Sequence, residues 1–355
     1  MGNNSELINV LIVDDSSLMR MIISDVLNSD ARIKVIGTAR NGEEAIQMAK
    51  DLNPDVITLD IEMPVMDGFT ALKEILKTKF IPVLMLSGIA EKEADVTIKA
   101  LEHGAFDFIS KPKNVFDLSN EKIKNDFIER IVIAKNAVFH EIKKKPTQIS
   151  ILKKDIKKSE NLKSIVVIGA STGGPKSLKQ IIQAIPGEIP AAFLIVQHMP
   201  KGFTKSLSER LDFESLISVK EAGDGDEIKA GFAYVAPGDY QMLIKKDEND
   251  KLVIEITDDP PQRGHRPSVN VTLKSLFDTG FKNIVTVIMT GMGSDGSEGI
   301  KTIKQKNRGF IIAQDEKSSI VFGMPKAAIS TGFVDKIIPL DLIAKEITDV
   351  VEVQS

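Results

Sequence analysis

The 355-residue chain has no cysteine. Disulfides, thiolate zinc sites, iron–sulfur clusters and a cysteine nucleophile are therefore excluded. Histidine is scarce. Only His103, His140, His198 and His265 are present, so imidazole chemistry has few candidates. No run approaches 18 apolar residues, so no helix is expected to span or insert in a membrane. The start, Met1-Gly2-Asn3-Asn4-Ser5, lacks a basic region followed by an apolar stretch, which argues against a secretory signal. Glu6 stands where an N-myristoylation motif wants Ser or Thr. The expected location is the cytoplasm. An excess of positive charge is missing too. Lys and Arg total 46 against 50 Asp and Glu, a net charge of −4. That argues against a nucleic-acid partner, leaving only a local basic patch open.

What is present is ordinary globular composition, 42% hydrophobic and 27% charged. The length suits two domains, with three as the upper expectation. Over the first 120 residues two periodicities alternate. Val10–Val13, Lys34–Ile36, Val56–Leu59, Val83–Leu86 and Phe106–Ile109 are short, β-branched or otherwise apolar runs. Between them apolar residues recur at three- and four-residue spacing, as at Leu18, Met21, Ile22 and Val26. Five strands alternating with helices predict a parallel sheet covered on both faces, with ligands at the carboxyl ends of its strands. Residues 121–141 keep a helical stripe of Ile123, Phe127, Ile131, Ala134 and Val138. Residues 142–163 then carry eight Lys against two acids and are expected to be a solvated linker. The alternation resumes at Ser164. Ser164–Ile168, Ala191–Val196, Val219–Ala222, Phe232–Val235 and Ile284–Met289 are expected strands, and Lys176–Ala184, Lys201–Asp212 and Val269–Asp278 expected helices. Gln241–Thr257, with its polar tip, predicts a β-hairpin.

Asp14 and Asp15 end the first expected strand, and Asp60 ends the third, its neighbour in a doubly wound sheet. Three close carboxylates repel one another unless a cation sits among them, and few oxygen ligands suit Mg²⁺. Ser87 ends the fourth strand and Lys111 follows the fifth. A carboxylate, a divalent ion, a hydroxyl and an ammonium on one rim fit phosphoryl transfer to Asp60. Any one of these acids alone would pass for a turn or cap residue. Together, Val10-Leu-Ile-Val-Asp-Asp15, Asp60-Ile-Glu-Met-Pro-Val-Met-Asp-Gly68, Ser87-Gly88 and Lys111-Pro112 resemble a two-component receiver domain with a flavodoxin-like fold. The resemblance implies that Asp60 is the phosphoacceptor. It implies that Asp15, Asp60 and the Glu62 carbonyl bind Mg²⁺ with Asp14 in support, and that Ser87 and Lys111 contact the phosphoryl group. It places Phe108 at an aromatic switch position and a cis peptide at Lys111-Pro112.

In the second half, Ile165-Val-Val-Ile168 runs into Gly169-Ala-Ser171-Thr-Gly-Gly-Pro175 and then a helix. Gly169 to Gly173 fit the G-x-S-x-G elbow that exposes a nucleophilic serine, although Ser171 or Thr172 could equally be a helix cap. His198 follows a strand directly and is better placed as base than His265, which sits with Arg266 in a loop and is expected on the substrate side. Asp295, in the strand-end loop Thr290-Gly-Met-Gly-Ser-Asp-Gly296, could orient the imidazole. The order Ser, His, Asp along the chain is no obstacle, since such triads are defined by geometry. Gly291 to Gly296 also fit G-x-G-x-x-G with Asp315 downstream, a nicotinamide-binding alternative for which the βαβ context is expected to be incomplete.

Residues 164–355 resemble the catalytic domain of chemotaxis protein-glutamate methylesterases, the CheB family. The resemblance rests on Ile168-Gly-Ala-Ser-Thr-Gly-Gly-Pro175, Val196-Gln-His-Met-Pro200, Ala236-Pro-Gly238, His265-Arg-Pro-Ser-Val269 and Thr290-Gly-Met-Gly-Ser-Asp-Gly296. It implies an α/β protein of two domains: a receiver at 1–125, a helix extension and Lys-rich linker at 126–163, and a doubly wound catalytic domain with a β-hairpin at 164–355. It implies the triad Ser171, His198 and Asp295, with Thr172 beside the histidine and the Met292 N–H in the oxyanion hole. The implied reaction is hydrolysis of glutamate γ-methyl esters, and of some glutamine amides, on chemoreceptors. No cofactor is implied beyond the receiver's Mg²⁺, and the implied phosphodonor is a chemotaxis histidine kinase. A non-catalytic regulator whose second domain binds a protein is the alternative. A DNA-binding regulator would need a helix-turn-helix that this half does not offer.

Overall fold

The computed structural model describes residues 7–78, 80–88, 90–111, 117, 120–137, 161–305 and 309–353. It divides into two compact units, Met1–Ala137 and Val138–Ser355. Among the described residues no helix is long and apolar enough to cross a membrane.

The first unit has five parallel strands: β1 (Ile8–Val13), β2 (Ile33–Ala39), β3 (Val56–Asp60), β4 (Val83–Ser87) and β5 (Asp107–Ser110), in the order β2-β1-β3-β4-β5. β3 and β4 are buried at every residue, as expected of strands covered on both faces. Helices α1 (Ser17–Asn28), α2 (Gly42–Leu52), α3 (Gly68–Thr78) and α4 (Glu91–Glu102) connect them. α1 buries Met19, Ile22, Ile23, Val26 and Leu27, and the Ser16 hydroxyl caps it by accepting from the Met19 N–H.

α5 (Glu121–Asn136) runs across position 125, where the sequence suggested that the receiver ends. The helix buries Phe127, Ile128, Ile131 and Ala134. Its Arg130 pairs with the largely buried Asp107 at 2.7 Å, and Lys135 pairs with Asp55. These contacts hold the whole of α5 in the first unit. Residues 138–160, which hold most of the expected Lys-rich linker, and Pro112 of the expected cis peptide lie outside the described residues.

The second unit is built on a seven-stranded parallel sheet. Its strands are β6 (Ser164–Ala170), β7 (Ala191–Gln197), β8 (Ser218–Glu221), β9 (Phe232–Val235), β12 (Ile284–Ile288), β13 (Gly309–Gln314) and β14 (Lys336–Ile338), in the order β14-β13-β12-β6-β7-β9-β8. The hairpin of β10 (Gln241–Lys246) and β11 (Leu252–Thr257) forms a separate antiparallel pair. The helices are α6 (Gly174–Ala184), α7 (Phe203–Phe213), α8 (Val269–Asp278), α9 (Ser297–Gln305), α10 (Met324–Ile329) and α11 (Leu340–Val353). α7 starts two residues later than the periodicity suggested, because Gly202 takes φ 91° in a turn that the Phe203 N–H closes on Pro200 O. The chain lays down β6 first, builds outward through β7 on one side, then returns to build β12, β13 and β14 on the other. The order therefore reverses between β6 and β12, and their carboxyl ends form the crevice where open α/β sheets bind ligands.

Candidate active site

Ser171 leaves the end of β6 at that crevice. Its N–H donates to Thr290 O at 3.0 Å, which ties the turn to the loop after β12. Gly173 takes φ 77°, a left-handed conformation that lets the chain enter α6 at once. The buried Thr172 is held from the same neighbour, its carbonyl accepting the Thr290 hydroxyl at 2.9 Å. Gly291 lies directly against Ser171: a Cβ there would stand 2.7 Å from Ser171 Cβ and 2.6 Å from Met324 Sδ.

His198 leaves the next strand end. Ala170 and Gln197 are register partners on β6 and β7, and the His198 N–H donates to Ala170 O at 3.0 Å. The imidazole Nε2 lies 2.8 Å from Asp295 Oδ2. Nδ1 is buried and has no hydrogen-bond partner among the described residues, the Ser171 hydroxyl included. With the carboxylate fixing the proton on Nε2, Nδ1 is the nitrogen that carries the basic lone pair. His265 stacks on this ring, with centroids 4.1 Å apart and planes 11° apart.

Asp295 is 4% exposed and accepts from five donors. Oδ2 takes His198 Nε2 and the Val269 N–H at 2.7 Å. Oδ1 takes the Ser268 hydroxyl at 2.9 Å and the N–H groups of Asn270 and Gly296 at 3.1 and 3.0 Å. Two of these donors are the opening N–H groups of α8, so the carboxylate also satisfies a helix start. Burial pushes the carboxyl pKa up. The histidine contact and the backbone donors outweigh it and hold the value below the ordinary range.

The Met292 N–H, on the same loop, has no protein acceptor among the described residues. Arg266 is pinned by Nη1 to the carbonyls of Asp258 and Asp259 at 2.8 and 3.3 Å. The Gly291–Gly296 loop does open a βαβ unit, β12-α9-β13, so that context is more complete than the sequence suggested. Its charged member, however, is the acid engaged by His198 and α8, and Asp315 serves a local turn by accepting from the Ser318 N–H and hydroxyl.

Several polar residues had no assigned role in the sequence. Ser268 donates to Asp295, Asn270 Oδ1 accepts from Gly296 and Gly299, and Gln241 accepts the Ser268 N–H. Gln197 donates to Ser171 O. The available signal was a polar residue in a position that an apolar pattern would fill, such as Gln197 at the end of Ala191–Val196.

In the first unit, carboxylate oxygens of Asp14, Asp15 and Asp60 lie within 4.8 Å of one another. Lys111 Nζ stands 2.6 Å from Asp60 Oδ2 and 3.0 Å from Asp14 Oδ2. One ammonium against three carboxylates leaves two negative charges uncompensated, which fits a divalent cation. Burial, opposed by Lys111 and reinforced by Asp14, raises the Asp60 carboxyl to about 6. Ser87 is buried, and the Thr97 hydroxyl donates to its Oγ at 2.8 Å. Phe108 is buried on β5. Glu62 and Asp15 line an open cleft of about 690 Å³ beside the acids. Its wall includes the loop from Asp60 to Gly68, where a tight turn at Val65 (φ 69°) has the Met66 N–H donating to Pro64 O at 2.8 Å.

Comparison with known proteins shows the same division. The family described as CheB methylesterase matches residues 166–347, and the response regulator receiver domain matches residues 10–121. The protein-glutamate methylesterase/protein-glutamine glutaminase of Halalkalibacterium halodurans is 45% identical over 341 residues, covering 96% of this chain and 97% of that protein. The Bacillus subtilis protein of the same name is 42% identical over 354 residues, covering 98% and 99%. The crystal structure of the Thermotoga maritima CheB methylesterase catalytic domain is 43% identical with a TM-score of 0.50, covering 53% of this chain and 97% of that one.

Proposed function

The chain belongs to the CheB methylesterase family, and from that premise we propose that it hydrolyses glutamate γ-methyl esters and glutamine amides on chemoreceptors, with Ser171 as nucleophile. The carrying observation is the His198 imidazole, bound to Asp295 through Nε2 and presenting a buried, unpartnered Nδ1 at the strand end beside Ser171.

Ser171 Oγ attacks the side-chain carbonyl while its proton passes to His198 Nδ1. Asp295 holds the ring and stabilises the imidazolium. The Met292 N–H, which has no acceptor among the described residues, is available to the oxyanion, and Thr172 lies next to the nucleophile. The imidazolium returns the proton to the departing methoxide, so methanol leaves and a Ser171 acyl-ester remains. Water then attacks the ester carbonyl, His198 takes its proton and gives it to Ser171 Oγ, and glutamate is released. An amide substrate differs only in losing ammonia.

In the receiver, Asp15, Asp60 and the Glu62 carbonyl would hold Mg²⁺, with Asp14 in support, and the bound ion offsets charge on the phosphoryl oxygens. Asp60 accepts the phosphoryl group from a histidine kinase. Lys111 neutralises Asp60 and then a phosphoryl oxygen, and the Ser87 hydroxyl supplies a further contact. Phosphorylation raises the hydrolytic rate of the second unit.

The test is methanol release from methylated receptor, with and without a small-molecule phosphodonor and Mg²⁺. Ser171→Ala should lower turnover by about 10⁴-fold or more without unfolding the chain. Asp60→Asn should keep the basal rate and lose the stimulation. Full activity in Ser171→Ala would remove Ser171 as the nucleophile, and no methanol release from wild type would reduce the second unit to a binding module.

A further inference from the structure

Gln197 ends β7, is 1% exposed and immediately precedes His198. Its Nε2 donates to Ser171 O at 3.0 Å and lies 3.4 Å from His198 O. One amide thus bridges the main chain of the nucleophile turn to that of the base turn. The two acceptors are carbonyls, so only an NH₂ can face them and the amide orientation is fixed. The consequence falls on the other end of the group. Oε1 is buried and has no hydrogen-bond partner among the described residues. It occupies the space in front of Gly174, where a Cβ would stand 1.9 Å from it. A buried, unsatisfied carbonyl is unfavourable for the fold, and most buried polar groups avoid it. Ser171 O also accepts the Gly174 N–H at 2.8 Å, so the turn would be satisfied there without Gln197. At Ser171 O the amide is therefore additional to the bond that the turn already makes.

We propose that Gln197 is a positioning residue for the hydrolysis, its amide setting the separation of Ser171 and His198 by clamping their two turns together. The proposal rests on the assignment of Ser171 and His198 above. The Ser171 hydroxyl and the His198 imidazole make no hydrogen bond to each other in this structure, so the register of the two turns decides whether Oγ and Nδ1 meet.

The experiment compares phosphodonor-activated full-length wild type with Gln197→Met, Gly174→Ala, the double variant and Ser171→Ala, reading kcat, KM and Tm. Met keeps the volume and removes both the clamp and the unsatisfied carbonyl. Gly174→Ala leaves Gln197 in the chain but drives its amide out of place. Each single variant should lose about 10²-fold in kcat with KM within about twofold, the size expected for a misplaced reacting group. Gln197→Met should melt no lower than wild type. The double variant should lose no more than either single, since both act through one amide. A Gln197→Met enzyme with wild-type kcat, while Ser171→Ala is dead, overturns the proposal and leaves the triad standing. Activity falling only in step with Tm also overturns it, because that marks a merely structural residue. Full activity in Ser171→Ala instead removes the assignment on which the proposal rests.

Discussion

Gly291 and Ser171 are in such close approach that the Cα of one leaves no room for a methyl group beside the Cβ of the other. Gly291→Ala should therefore move Ser171, the proposed nucleophile, rather than simply strain a loop. Turnover should fall at least about 10-fold, against a stability loss of about 1–3 kcal/mol from overpacking. Methanol release and calorimetry on the same preparation check this, and a variant that melts lower yet turns over normally would contradict it.

The ring of His265 lies flat on that of His198. If the contact serves to hold the base in plane, an aromatic of similar shape will substitute. His265→Phe should retain most of the turnover, and His265→Ala should lose it without a matching rise in KM. Equal loss in both variants would instead assign the imidazole nitrogens a direct role with substrate.

Asp295→Asn should lose about 10⁴-fold in kcat, as expected when the orienting carboxylate is neutralised. It should also cost stability, because α8 loses an anion at its start. The pH dependence has a definite sign. The folded carboxyl pKa is lowered, so its contribution is complete above the unfolded value of about 3.9 and disappears as pH falls through the lower folded value. Calorimetry should show the difference between wild type and Asp295→Asn constant above about pH 4 and shrinking as the pH falls below it.

Asp60 has the opposite sign. Its folded pKa, about 6, lies above its unfolded one, so the protonated form is favoured by the fold. The associated stability is complete below about pH 4 and is lost as pH rises through 6, amounting to roughly 2–3 kcal/mol. In metal-free buffer, Asp60→Asn should therefore gain stability relative to wild type between pH 4 and 7. Mg²⁺ favours the ionised carboxylate, so it should raise the wild-type Tm more at pH 7 than at pH 5. A Tm shift that ignores pH would remove the ion from this carboxylate.

The fold was legible where burial imposes a simple pattern. The doubly covered strands β3, β4, β6 and β7 are nearly continuous apolar runs, and Gln241–Thr257 alternates as a hairpin should. The last stretch was not: β13, β14, α10 and α11 carry no motif, and β14 is a three-residue edge strand with two exposed members. The boundary at 125 cut through α5, although the helical stripe of Phe127, Ile131 and Ala134 continues past it; that stripe is buried in the first unit, and the ion pairs of Arg130 and Lys135, which spacing does not reveal, add to the attachment. At the site, strand-end positions pointed to Ser171, His198 and Asp295. Spacing could not show which imidazole nitrogen faces the acid, that His265 stacks on the base, or that Ser268 and Gln197 are bonded to the site. Those facts depend on contacts between segments up to 97 residues apart.

The acid at 295 starts a helix as well as serving the imidazole. A descendant of this chain that had lost its chemistry would still be under pressure to keep an acid there, simply to fold. Among relatives, then, that aspartate is a poor marker of a living enzyme, and a dead one is better diagnosed at the serine.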